Sequence, residues 1–86
     1  MTDLHDKTVL ITGATTGIGR VAAERLAANG YFVYAGARKA KDIEALNRIE
    51  NIQAIRLDVT IQKEIDAAVE HIRREGRGLW GLVNNA

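Results

Sequence analysis

A short apolar run that leads into closely spaced glycines is the feature that most constrains the fold of this chain. The run covers residues 8–12, and Gly13, Gly17 and Gly19 follow it before an amphipathic stretch begins. Glycine permits a tight turn and lets the backbone approach a ligand where a Cβ would obstruct it. The N–H groups that open a helix attract anions. This strand, turn and helix are therefore expected to hold a nucleotide pyrophosphate.

The rest of the chain alternates between short apolar runs and helical periods, which predicts the element order β-α-β-α-β-α-β. Such alternation indicates an α/β fold with a parallel sheet and right-handed crossovers. A Rossmann-type doubly wound sheet would have the strand order 3-2-1-4, with ligand bound at the carboxyl ends of the strands. Strands are expected at residues 8–12, 31–35, 53–57 and 80–83, and helices at residues 18–29, 40–49 and 61–75.

The predicted sheet is incomplete, because this order leaves the fourth strand at an edge. That strand, at residues 80–83, is apolar. Natural proteins cover or blunt such edges. Residues 1–86 are therefore expected to be the amino-terminal portion of a longer domain. The alternative is a free-standing module with a partner over the fourth strand.

The helices carry recognisable end signals and apolar stripes. Gly30 and Gly76 are expected to end the first and third helices, and Thr60 is expected to cap the start of the third. Apolar residues recur at helical spacing in each helix. They are Ile18, Val21, Ala22 and Leu26 in the first, Ile43, Leu46 and Ile49 in the second, and Ile61, Ile65, Ala68, Val69 and Ile72 in the third.

Composition excludes several classes of function. The formal net charge is +1, which gives no case for a nucleic-acid partner or an acidic membrane surface. No apolar run approaches the roughly 20 residues of a membrane helix. The polar first residues do not resemble a secretory signal, so a cytoplasmic location is expected. The chain has no cysteine, and neither His5 nor His71 has ligands around it in sequence, so no metal site is expected.

Three motifs in order resemble those of the short-chain dehydrogenase/reductase family. The family's cofactor motif Thr-Gly-x-x-x-Gly-x-Gly matches residues 12–19, and its Asp-Val signature after the third strand matches residues 58–59. Its Asn-Asn-Ala-Gly signature matches residues 84–86, where the chain ends before the glycine. Taken singly, these could be turn glycines, a residue that starts a helix and a chain terminus. Together they cover the whole sequence, but only the amino-terminal part of the family's domain.

The resemblance implies a dinucleotide cofactor, and each matching position carries an implied contact. Asp58 and Val59 would contact the adenine, and Arg38 the ribose 2′-phosphate if one is present. The pyrophosphate and ribose would lie against Gly13, Thr15, Gly17, Ile18 and Gly19, and the nicotinamide half against Asn84, Asn85 and Ala86.

The end of the second strand favours NADP(H) over NAD(H). Enzymes that use NAD place a carboxylate there to bind the ribose 2′-hydroxyl, whereas NADP enzymes need positive charge. The family's acidic position falls on Ala37, and Arg38 and Lys39 follow it. A guanidinium can bind a phosphate with two parallel hydrogen bonds. The alternative is that Arg38 and Lys39 form only a solvated basic turn.

The resemblance implies an oxidoreductase that interconverts an alcohol and a carbonyl compound and assembles as a homo-oligomer. The family's Ser, Tyr and Lys cannot be placed, because the chain has no serine and neither Tyr31 nor Tyr34 begins a Tyr-x-x-x-Lys motif. Both tyrosines are expected to pack, so no catalytic residue is assigned and these residues alone should be inactive. Residues 78–86 are similar to the retinol and hydroxysteroid branch of the family, which suggests a lipophilic substrate. The alternative is a non-catalytic dinucleotide-binding module.

Overall fold

The computed structural model describes residues 7–13, 17–79 and 81–84, and within them strands and helices alternate as predicted. Every predicted element is present, and its ends lie within two residues of the predicted positions. The elements are β1 (Thr8–Thr12), α1 (Gly17–Ala28), β2 (Phe32–Ala37), α2 (Ala40–Asn47), β3 (Ile52–Arg56), α3 (Gln62–Glu75) and β4 (Gly81–Asn84).

The four described strands form one parallel sheet in the order β3-β2-β1-β4, which confirms the predicted doubly wound topology. In the register, Leu10 pairs with Tyr34 of β2 on one side and with Leu82 of β4 on the other. The chain therefore moves outward through β2 and β3, then crosses back past β1 to form β4. Because β1 lies between β2 and β4, the winding reverses beside it, where doubly wound folds bind ligands.

The helices cover both faces of the sheet and divide the core in two. Every residue of β1 is buried, and successive side chains point to opposite faces. Val9 and Ile11 pack with α1 and α2, whereas Leu10 packs with α3. The predicted α2 stripe is confirmed, since Leu46 is fully buried and Ile43 packs against the same cluster.

Small residues hold α1 against the sheet. The helix buries Gly19, Ala23 and Ala27, while Ile18 is 81% exposed and Val21 is 52% exposed. Small side chains let the helix axis approach the strands, which places the larger residues on the outer surface. In α3 the observed burial also differs from the predicted apolar stripe, because Val69 is predicted on the buried face but is 57% exposed.

Both glycine stops are confirmed, but the predicted cap of α3 is wrong. Gly30 and Gly76 have φ values of 93° and 76°, which glycine adopts without a Cβ penalty. The residue at the cap position of α3 is Ile61, and its side chain makes no capping hydrogen bond. Thr60 lies one residue before that position, and its hydroxyl donates to Oδ1 of Asp58 at 2.6 Å in the preceding turn.

Exposed apolar side chains gather around β4. Leu82 is 62% exposed and Leu79 is 46% exposed. Beside them a hollow of about 270 Å³ is lined mainly by apolar residues of β1, α3 and the following loop, among them Leu10 and Val69. Among the described residues, none of the helices combines the length and the apolar character needed to cross a bilayer.

Replacing Gly36 with alanine is expected to destabilise the protein by about 1 kcal/mol, because the added methyl group overpacks the α3 face. A Cβ on Gly36 would lie 3.1 Å from Cδ2 and 3.3 Å from Cβ of Leu57. Gly81→Ala is the matched control, since among the described residues beyond its neighbours its Cβ would meet Cγ2 of Val9 alone, at 3.9 Å. Urea denaturation of both variants checks this, and equal stability would contradict it.

Candidate nucleotide site

The candidate site lies at the carboxyl edge of the sheet, where β1, β4 and the start of α1 meet. Thr12 ends β1 and pairs in the register with Asn84, the last residue of β4. Gly13 follows directly, and α1 begins at Gly17. The amino terminus of α1 therefore opens beside the point where the winding reverses, which places its positive end at the site.

The glycines of this turn have the conformations that the sequence pattern requires. Gly13 and Gly17 have φ values of 64° and 58°, in the left-handed region. Among the described residues, apart from the neighbours of Gly17 and the backbone of α1 itself, no atom lies within 4 Å of the position that a Cβ of Gly17 would occupy, so the surface above it is open. The first turn of α1 contains no acidic residue to compete with a bound anion. This turn therefore fits the pyrophosphate of a dinucleotide, both in shape and in charge.

A basic corner, formed by Arg38, Lys39 and Arg56, lies at the adjacent strand ends. The three side chains belong to exposed residues that follow β2 or end β3. β2 and β3 stay paired to their last residues, because Ala37 lies opposite Arg56 in the register. The N–H of Leu57 also donates to the carbonyl oxygen of Ala37 at 2.8 Å. The main chain thus brings the basic residues of two strands to one corner of the site.

Asp58 is held by a turn immediately beyond β3. Its Oδ1 accepts hydrogen bonds from the backbone N–H of Thr60 at 2.9 Å and from the Thr60 hydroxyl. The Thr60 hydroxyl is the foremost reason that the pKa of Asp58 lies below its usual value, and the charges of Arg38 and Arg56 act in the same direction. Asp58 is therefore an ionised, oriented acceptor beside the basic corner rather than a proton donor.

The structure brings most of the sequence-predicted residues to this edge. Gly19 is buried inside α1, and Ile18 and Val59 present exposed side chains, with Val59 43% exposed. Three of the predicted residues lie outside the described part of the chain: Thr15, Asn85 and Ala86.

Sequence reasoning missed Arg56 and Glu64. The sequence pattern places Arg56 within a strand and Glu64 within a helix, with no role in the site. Nε of Arg56 lies 3.4 Å from Oε2 of Glu64, and Nη1 donates to the carbonyl oxygen of Arg38 at 3.1 Å. The available signal was a charged pair flanking the Asp-Val motif, but only the β2–β3 register shows that Arg56 reaches Arg38.

The amino edge of the sheet, opposite the candidate site, carries a separate polar cluster around Tyr34. Tyr34 is fully buried, and its hydroxyl donates to Glu75 at the end of α3. Gln53 and Arg77 also donate to Glu75. His71 lies edge-on to the Tyr34 ring. The predicted packing role of Tyr34 is thereby confirmed, and among the described residues no group of acidic, His or Cys side chains could hold a metal ion.

Tyr34→Phe is expected to lower stability by about 1 kcal/mol near neutral pH, since Glu75 stays 26% exposed and water can replace part of the lost hydrogen bond. The Tyr34 hydrogen bond is also the foremost reason that the pKa of Glu75 lies below its usual value of 4.5. The stabilisation is therefore present above about pH 4.5 and is lost as the pH falls through the lower folded pKa.

Urea denaturation of Tyr34→Phe, Glu75→Gln and the double variant at neutral and acid pH measures this coupling. The destabilisation of each single variant should shrink in acid, and the double variant should lose less than the two single losses added. Additive losses that do not change with pH would show that the two side chains are not coupled.

Comparison with known proteins identifies the family. Residues 7–86 match the family model described as short chain dehydrogenase. The chain belongs to the short-chain dehydrogenase family. Its match covers both the glycine turn and the Asp58 turn, and membership implies a nicotinamide dinucleotide cofactor, NAD or NADP. The open Gly17 turn fits the pyrophosphate of that cofactor.

Relatives of this chain are oxidoreductases by name. It is 40% identical over 87 residues to human 17-beta-hydroxysteroid dehydrogenase type 6, a match that covers 96% of this chain and 27% of the relative. It is 37% identical over 82 residues to 3-amino-tetrahydro-pyrrolizinone reductase of Xenorhabdus hominickii, covering 93% and 28%. This short-chain dehydrogenase segment therefore spans less than a third of the length of these curated relatives.

A solved structure confirms the fold. The crystal structure of a short-chain dehydrogenase from Bacillus anthracis superposes with a TM-score of 0.87 at 31% identity. The match covers 96% of this chain and 35% of that one. The match is therefore to a part of that short-chain dehydrogenase structure.

Proposed function

We propose that this segment binds NADP(H) for an oxidoreductase that interconverts an alcohol and a carbonyl compound. The observation that carries the proposal is the open, positive-φ turn at Gly17, with the start of α1 behind it and the basic corner at the adjacent strand ends. The bound cofactor supplies hydride chemistry, and the residues of this segment bind and orient it.

The glycine turn would receive the pyrophosphate. Backbone N–H groups at the start of a helix bind phosphate oxygens, and the open space above Gly17 lets those oxygens approach the main chain. Exposed Ile18 would cover part of the cofactor with apolar surface. We assign the pyrophosphate and ribose contacts to Gly13, Thr15, Gly17, Ile18 and Gly19.

The adenosine end would lie between the ends of β2 and β3. Asp58 and Val59 would border the adenine, with Asp58 as an ionised hydrogen-bond acceptor. The nicotinamide half would extend toward the end of β4, against Asn84, Asn85 and Ala86.

Charge at the basic corner supports a preference for NADP(H) over NAD(H). Arg38 and Lys39 are exposed, and Ala37, at the position of the NAD-type carboxylate, is 3% exposed and neutral. The two nearby carboxylates have partners other than Arg38: that of Asp58 accepts hydrogen bonds from Thr60, and that of Glu64 faces Arg56. The Arg38 guanidinium can therefore bind a 2′-phosphate through charge-assisted hydrogen bonds.

We also propose that residues 1–86 form the amino-terminal, dinucleotide-binding portion of a longer enzyme that functions as a homo-oligomer. The exposed apolar residues of β4 and the greater length of the relatives support this. The family's catalytic Ser, Tyr and Lys cannot be placed in residues 1–86, which contain no serine and no Tyr-x-x-x-Lys motif. Proton transfer is therefore assigned to residues outside this segment. The dehydrogenase and reductase names of the relatives support an alcohol and carbonyl pair as substrate and product.

Intact mass and turnover of the protein from its native source test this proposal. The 86 residues account for 9.4 kDa, so a mass more than twice that, with oxidation of alcohols coupled to NADP⁺ reduction, is the expected result. A mass near 9.4 kDa with NADPH binding and no turnover would instead indicate a free-standing, non-catalytic module.

A further inference from the structure

We propose that Arg56 is a positioning residue for recognition of the 2′-phosphate, and that it acts by fixing the main chain at Arg38. The inference rests on the proposed NADP(H) function and deepens it at one subsite. Arg56 ends β3, directly opposite Ala37 at the end of β2, so its side chain starts beside the segment that it would hold.

The first contact of Arg56 is with the Arg38 main chain. Nη1 of Arg56 donates to the Arg38 carbonyl oxygen at 3.1 Å. The peptide before it is also held, because the Ala37 carbonyl accepts from the N–H of Leu57 at 2.8 Å. Two consecutive carbonyl groups at the end of β2 are therefore tied to β3 and the residue after it. This fixes the point from which the Arg38 side chain extends.

The second contact of Arg56 anchors its own guanidinium. Nε lies 3.4 Å from Oε2 of Glu64, whose side chain is only 20% exposed. Oε1 of Glu64 accepts from the backbone N–H of Asp58 at 2.9 Å. Glu64 lies in the first turn of α3, where a carboxylate is favourable. A continuous chain of contacts therefore links the Arg38 main chain to the Asp58 turn.

This arrangement lowers the ordering cost of phosphate binding. When Arg38 binds a phosphate, its long side chain is immobilised, which costs conformational entropy. Because the backbone of Arg38 is already fixed, part of that cost is removed. The planar fork of arginine can serve the Arg38 carbonyl and Glu64 at once, whereas the single nitrogen of lysine cannot reproduce this pair. The role thus depends on the shape of Arg56 as well as on its charge.

The test measures binding of adenosine 2′,5′-bisphosphate and adenosine 5′-phosphate by calorimetry, using the protein at its natural length. Arg56→Gln should weaken the bisphosphate about fivefold and leave the monophosphate within about twofold, since one exposed contact of this kind is worth about 1 kcal/mol. Arg73→Gln is the matched control, because Arg73 pairs with Glu70 near the far end of α3. Its bisphosphate affinity should equal that of the unaltered protein.

Two further variants separate positioning from charge. Arg56→Lys keeps the charge, so a charge effect alone predicts unaltered affinity, whereas positioning predicts about threefold weaker bisphosphate binding. Glu64→Gln removes a negative charge near the phosphate, so charge alone predicts tighter binding. Positioning predicts weaker binding, with no added loss when Glu64→Gln is combined with Arg56→Gln.

The outcomes distinguish this inference from the proposed function. If the unaltered protein does not favour the bisphosphate, both are overturned. If the unaltered protein does favour the bisphosphate, and Arg56→Gln keeps the same ratio of bisphosphate to monophosphate affinity, only the role of Arg56 is overturned. An equal loss for both ligands in Arg56→Gln, together with a lower melting temperature, would show a merely structural role and would also overturn it.

Discussion

Gly17→Ala is expected to weaken NADPH binding about 100-fold while leaving the fold intact. The Cβ would stand in the open space to which we assign the pyrophosphate, and it would displace that phosphate from the N–H groups of α1. Charge-assisted hydrogen bonds of this kind contribute about 1.5–3 kcal/mol each, so loss of one or two accounts for the effect. At a φ of 58°, alanine also costs about 1 kcal/mol of stability.

Gly78→Ala provides a matched control for the strain. Gly78 has a φ of 78° and lies in the loop between α3 and β4, at the opposite edge of the sheet. In the described part of the chain, no atom other than those of its neighbours lies within 4 Å of its Cβ position. Both variants should therefore lose similar stability in urea, while only Gly17→Ala loses NADPH affinity by fluorescence titration. Unchanged affinity in Gly17→Ala would exclude this turn as the phosphate site.

Arg38→Gln is expected to weaken NADPH binding roughly 10- to 100-fold and to change NADH binding by less than about twofold. The two cofactors differ only in the 2′-phosphate, which is the group assigned to Arg38. A graded series should follow, with Arg38→Lys weakened least because it keeps the charge, and Arg38→Glu weakened most because it repels the phosphate. The selectivity should also fall with added salt, since Arg38 is exposed.

Arg48→Gln is the control for net charge. Arg48 follows α2 and pairs with Glu44, and it lies at the other edge of the sheet from Arg38. This variant changes the total charge by the same amount but should keep the NADPH preference. If both substitutions reduce NADPH binding equally, the effect comes from overall charge rather than from a 2′-phosphate contact at Arg38.

The topology could be predicted from sequence because each element has its own local signal. β1 is a continuous apolar run, the helices show helical spacing, and Gly30 and Gly76 end α1 and α3 with positive φ values. The exposed side of α1 could not be predicted in this way. Its packing depends on how closely Ala23 and Ala27 approach the sheet, which is a tertiary property that apolar spacing does not record.

The candidate site likewise has features that a local sequence signal predicts and features that depend on tertiary structure. Gly13, Gly17 and Asp58 belong to local motifs, and the positive φ values of the two glycines match the expected turn. The contact of Arg56 with Arg38 joins residues 18 positions apart, so it depends on the β2–β3 register. The predicted cap at Thr60 is wrong because α3 begins at Gln62, one residue later than the apolar spacing indicates, which puts Ile61 at the cap position.

Calorimetric titration of the protein at its natural length with NADPH and then with NADH tests the central claim most directly. The account predicts that both dinucleotides bind at one site and that NADPH binds at least about tenfold more tightly, as expected for a charge-assisted contact to the 2′-phosphate. Equal or tighter binding of NADH would contradict the assigned role of the basic corner. Failure of both dinucleotides to bind would contradict the site itself.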